Sequence, residues 1–144
     1  MVREHMGIGY EGFCKLADQD DEIAIYTYSG ADINDNFDLR KKHLLDYDGV
    51  IVIYKRCLEE PEIHTKTVRR PSGRKYERVK RITHVPNILR HIKNGDIVIE
   101  KECFNAFRRC GWVDVDYIAY NLLYYIFVYY QEKGCLPEDE MFAV

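Results

Sequence analysis

The sequence predicts an α+β fold: a mainly antiparallel sheet of about five strands with a projecting basic β-hairpin, two short helices and a long C-terminal helix packed on the sheet. Three observations predict it. Strand-like segments dominate the first two thirds, and helix-like segments dominate the last third. A turn signal, Arg70-Pro71-Ser72-Gly73, sits between two alternating arms. Residues 117–130 are apolar nearly all round a helix. With 144 residues, a single domain over 1–144 is expected.

The elements follow in order. Ile8–Leu16 alternates loosely, with glycines that weaken the strand. Asp18–Asp21 is a turn. Glu22–Ser29 is rich in Ile, Tyr and Thr and predicts a strand. Gly30–Asn36 is a loop of Asp and Asn, and Asp38–Leu45 predicts one or two helical turns. After the turn Asp46–Gly49, Val50–Lys55 predicts a central strand. Ile63–Arg69 and Lys75–Thr83 form the arms of the hairpin. Pro86 inside its start and Gly95 past its end frame a short helix, Pro86–Asn94. Ile97–Glu100 is a short strand, and Cys103–Cys110 a second short helix stopped by Gly111. Asp114 or Asp116 caps the long helix, which runs to Lys133 and ends at Gly134. Residues 138–144 begin with three acids and predict a mobile tail.

The five cysteines are scattered, without a CxxC pair. That usage points to a reducing compartment, with the thiols serving as small core groups. No apolar run opens the chain, so a cytoplasmic protein is expected. Val113–Tyr130 is interrupted by Asp114, Asp116 and Asn121, and what remains is too short to cross a hydrocarbon core of ~30 Å. No membrane contact is expected.

The formal net charge of −3 conceals an uneven layout. Residues 1–62 balance at −7, residues 63–93 at +9 and residues 94–144 at −5. Such asymmetry suggests charged partners or internal pairing. Lys66, Arg69, Arg70, Arg74, Lys75, Arg78, Lys80 and Arg81 crowd the hairpin against Glu77 alone. A two-stranded ribbon can enter a nucleic-acid groove while its cations neutralise phosphates, and Tyr76 could stack on a base. Two structural roles compete with that one. Basic residues protect exposed strands from edge pairing, or the hairpin folds against the acidic stretches Asp18–Glu22 or Asp32–Asp38.

Several motifs fail on inspection. Gly7-Ile8-Gly9-Tyr10-Glu11-Gly12 matches GxGxxG, but a strand should precede it and a helix follow. Asp32–Asp38 opens like a calcium loop, yet Phe37 replaces the turn glycine and His43 the bidentate Glu. The His84/His91 and Cys103/Cys110 spacings are too wide for the usual zinc pairs. No metal and no cofactor are expected.

Three functional classes remain. The first is a non-enzymatic binding protein whose partner is another protein, in the manner of an immunity or antitoxin-like inhibitor of a basic partner. Its candidate contacts are Asp18, Asp20, Asp21, Asp32, Asp35 and Asp38, with Tyr117, Tyr120 and Tyr124 on the long helix. The same tyrosine stripe is a candidate homodimer interface. The alternative is a nucleic-acid-binding protein that uses the hairpin. The third is a small enzyme with an unrecognised site among His64, His84 and Cys103, although no catalytic residue is assigned.

Overall fold

The computed structural model describes residues 9–108 and 114–143. The described chain is α+β. It has a five-stranded antiparallel sheet, a separate two-stranded sheet and three helices. The strands are β1 Tyr10–Gln19, β2 Ile23–Asp32, β3 Gly49–Tyr54, β4 Glu62–Arg69, β5 Lys75–Ile82, β6 Ile97–Lys101 and β7 Asp139–Ala143. The helices are α1 Phe37–Asp46, α2 Ile88–Lys93 and α3 Tyr117–Lys133. The large sheet runs β6-β3-β2-β1-β7, and β4 pairs only with β5.

Strand alternation decides where the core sits. Cys14 on β1, Ala24, Tyr26 and Tyr28 on β2, Ile51 and Ile53 on β3, Ile97 on β6 and Phe142 on β7 are all buried. Their pairing puts Tyr26 opposite Ile51, Cys14 opposite Tyr28 and Ile53 opposite Ile97. They share one sheet face with Ile118, Ala119, Leu122, Leu123, Ile126 and Phe127 of α3. α3 can lie close because Gly12 and Gly30 carry no Cβ where Ile118 approaches.

Asp116 joins these layers. Its carboxylate caps α3 by accepting from the Ile118 N–H at 3.1 Å. It also accepts from the Phe107 N–H at 3.2 Å and the Tyr28 hydroxyl at 2.5 Å. Burial, the largest influence, holds the Asp116 carboxyl above its ordinary range, against these three lowering hydrogen bonds. The Tyr26 hydroxyl donates to the Pro137 carbonyl at 2.6 Å and ties the linker after α3 to the sheet.

Two expectations are corrected. Residues 139–143, expected in a mobile tail, form β7 on the edge of β1, with Gly12 opposite Phe142 and Lys15 opposite Asp139. Phe142 is buried, and that anchors the acidic segment. The helix expected at Cys103–Cys110 is absent among its described residues 103–108. There the Cys103 N–H goes to the Tyr28 hydroxyl and the Phe104 N–H to Asp48 Oδ2. The Phe107 N–H goes to Asp116. Of these, the Phe107 N–H is the donor that a helix starting at Cys103 would have used, since the first four N–H groups of a helix have no intrahelical acceptor. Cys110 lies outside the described residues.

No helix among the described residues is long and apolar enough to cross a membrane.

Candidate nucleic-acid interface

The hairpin is built by its turn and its alternation. The Arg70 N–H donates to the Arg74 carbonyl at 2.7 Å, and the Gly73 N–H to the Arg70 carbonyl at 2.8 Å. Gly73 has φ 87°, a left-handed conformation suited to glycine. Of the sixteen arm residues only Val68 is part-buried, and the rest are exposed.

Register sorts the side chains. One face carries Glu62, His64, Lys66 and Val68 opposite Ile82, Lys80, Arg78 and Tyr76. The other carries Ile63, Thr65, Thr67 and Arg69 opposite Arg81, Val79, Glu77 and Lys75. On the first face Lys66 stands directly across from Arg78, and His64 across from Lys80. With Lys66 and Arg78 the first, Arg69 and Lys75 form a second like-charged pair, on the second face. Like charges directly opposite destabilise a strand pair. At the tip the Arg70 guanidinium covers the Tyr76 ring at 4.6 Å.

Among the described residues none of the eight hairpin cations makes a salt bridge. Arg81 is the one held by the body: its Nη1 donates to the carbonyls of Glu132 at 2.9 Å and Gln131 at 3.3 Å. Those carbonyls end α3, where a cation is favoured. The acidic stretches Asp18–Glu22 and Asp32–Asp38 provide no such bridge.

The foot of the hairpin contains residues that sequence reasoning did not combine. Glu59, just before β4, meets His91 Nε2 at 2.6 Å and His84 Nε2 at 3.5 Å. It also accepts from the Asn87 N–H at 2.9 Å. The positions 59, 84 and 91 form no motif, so only the fold brings them together. Among the described residues no group of three His, Cys, Asp or Glu is arranged to hold a metal ion.

The acidic candidates are not gathered into one surface. Asp18, Asp20 and Asp21 lie around the start of β2, and Asp32, Asp35 and Asp38 around its end. Ten residues of strand separate the two groups by roughly 30 Å. Several have local duties: Asp20 Oδ1 accepts from Glu22 and Ile23, and Asp32 Oδ1 from Asn34. Asp38 stands in the first turn of α1, capped by Asn36. Tyr117, Tyr120 and Tyr124 are half-buried on α3. Phe107 lies between Tyr10 and Tyr117, with centroids at 4.1 and 5.4 Å, and Tyr117 stacks on Tyr120.

His64, His84 and Cys103 have separate surroundings. His64 is exposed beside Glu62 at 3.7 Å. His84 sits at the hairpin foot. Cys103 is buried near Asp116, and burial pushes its thiol up. The Cys14 and Cys57 thiols are likewise pushed up to about 12 by burial. Of the GxGxxG match, Gly9 precedes β1 and Gly12 lies inside it, and a strand follows where a helix is needed. Gly7 and Ile8 lie outside the described residues.

Comparison of the chain with protein-family models, with curated proteins and with solved structures finds no match.

Proposed function

We propose that this protein binds nucleic acid through the basic face of the β4–β5 hairpin, with His64, Lys66, Arg78 and Lys80 at its centre and Arg70 at its tip. One observation carries this reading: Lys66 stands opposite Arg78 and Arg69 opposite Lys75 on an exposed ribbon, and among the described residues none of these four makes a salt bridge. A strand pair designed only for stability would place carboxylates opposite those cations. A phosphate backbone supplies the missing anions and releases counterions on binding. Edge protection accounts for a lysine or two, but not for two like-charged pairs in register.

The test is fluorescence anisotropy with mixed-sequence DNA and RNA, single- and double-stranded, at two salt concentrations. Binding should weaken steeply with salt. The triple substitution Lys66→Glu, Arg78→Glu, Lys80→Glu should cost about a hundredfold in affinity and flatten the salt slope by roughly three phosphate contacts. Failure of every oligonucleotide to bind at low salt ends this reading.

A second reading, a protein partner, has its own support. Ile63 and Val79 are 53% and 63% exposed on the opposite ribbon face. Ile63→Thr with Val79→Thr would weaken a protein complex while leaving nucleic-acid affinity unchanged. The acidic-surface form of a protein-binding role, as in an inhibitor of a basic partner, has weaker support. Its carboxylates are divided between two ends of β2, and several serve their own turns.

A further inference from the structure

We propose that Glu59, His84 and His91 form a proton-operated latch at the foot of the hairpin. Glu59 stands just before β4 and His84 just after β5, so both ends of the hairpin meet at this carboxylate. His91 brings in α2, with its ring stacked on Phe127 of α3 at 5.6 Å.

The proton dependence follows from counting donors. The Gln131 side chain has a fixed orientation: its Oε1 accepts the His84 N–H at 2.9 Å, and its Nε2 donates to the His84 carbonyl at 3.0 Å. His84 Nδ1 therefore faces an acceptor, Gln131 Oε1, at 3.4 Å. His84 Nε2 faces a second acceptor, Glu59 Oε1, at 3.5 Å. A neutral imidazole has one N–H and can serve only one of them. The imidazolium serves both. His91 meets the other oxygen of the same carboxylate, so its own proton adds a second cation to Glu59.

Arg90 and Lys93 flank His91 on α2 and make no salt bridge among the described residues, while other charged groups by the cluster have partners. Glu60 accepts from the Tyr130 hydroxyl at 2.6 Å, Arg81 donates to the α3 carbonyls, and Arg56 pairs with Asp96 at 2.7 Å. The Cys57 thiol, which feels Glu59, is pushed up by burial and stays neutral. The His84 side chain is 49% exposed, so solvent protons reach it.

The sign is therefore fixed. The latch is complete when His84 carries a proton on both ring nitrogens, and it loses one of the two His84 contacts when only one proton is present. A closed latch holds the ribbon foot against α2 and α3. Its effect on ligand binding rests on the nucleic-acid reading, but the latch itself does not.

The test is hydrogen–deuterium exchange of the full chain without ligand, corrected for intrinsic rates, on the two sides of the imidazole range at about pH 5.5 and about pH 8. Segment 83–91 should be roughly threefold or more better protected at the lower pH, while β2 serves as reference. Glu59→Gln should abolish the difference, and so should His84→Gln, which serves if the first variant does not fold. Equal protection of the wild-type segment at both pH values overturns the latch, and so does a difference that survives His84→Gln. A pH-dependent segment in a protein that binds no oligonucleotide keeps the latch and removes only the nucleic-acid reading.

Discussion

Between α3 and the five-stranded sheet, the buried carboxylate of Asp116 holds hydrogen bonds from Tyr28, Phe107 and Ile118. On the hairpin, Lys66 faces Arg78 and Arg69 faces Lys75, and among the described residues none of these four makes a salt bridge. The first region follows the rule that a polar group leaving water must be hydrogen-bonded. The second leaves charges in water, where repulsion is screened and cheap. The contrast teaches that the sheet is organised for its own stability, whereas the ribbon carries a local electrostatic cost that a polyanion would relieve.

The sharpest way to test the first half of this contrast is Asp116→Ala. It removes the α3 cap and leaves the Tyr28 hydroxyl buried without its acceptor. The cap is worth about 1 kcal/mol and the orphaned hydroxyl about 2 kcal/mol more, so a loss of about 3 kcal/mol is expected. Urea unfolding should show a lower midpoint at unchanged slope. Asp116→Asn gives the pH test. Burial raises the Asp116 carboxyl, so its contribution is fully present below the unfolded value and declines as pH rises through the folded one. The Asn variant should lack that decline, read as a flatter stability–pH curve just above the ordinary aspartate range. An unchanged curve would show that Asp116 is not the group responsible.

Gly30→Ala should cost less, about 2 kcal/mol, because the added methyl meets the flexible end of Ile118 and the Cys103 sulfur. Thermal unfolding reads it. A neutral result would mean that α3 can move off β2, and the core would then be looser than its burial implies.

How much of this was legible depends on whether the cause is local. The hairpin was readable because Pro71 and Gly73 announce a turn and the arms alternate around it. The α3 cap was narrowed to two aspartates, since an N-cap is a local device. β7 was missed because Glu138, Asp139 and Glu140 look like a solvated end. The apolar Met141, Phe142 and Ala143 after those acids were the available signal, and their meaning depended on the free edge of β1. The helix expected at Cys103 gives way at Phe107, whose N–H goes to Asp116, the cap of another element that only the fold brings beside it. The Glu59 cluster was invisible for the same reason. His84 and His91 were noticed as a pair, but the carboxylate between them stands across the whole hairpin.

The smallest expected stability change tests the second half of the contrast. Lys66→Thr with Arg78→Thr replaces a like-charged cross-strand pair by two β-branched residues. Because the pair is exposed, repulsion is screened and the gain should be only about 0.5 kcal/mol. Global unfolding should therefore hardly move, while affinity for nucleic acid should fall about tenfold through two lost phosphate contacts. That combination, stability unchanged or slightly improved with binding impaired, is the signature of residues kept for a partner. Should the double substitution instead lower global stability by more than about 1 kcal/mol, the ribbon would be supporting the sheet. Its cations would then have a structural role, and the two regions could no longer be set apart by how they treat charge.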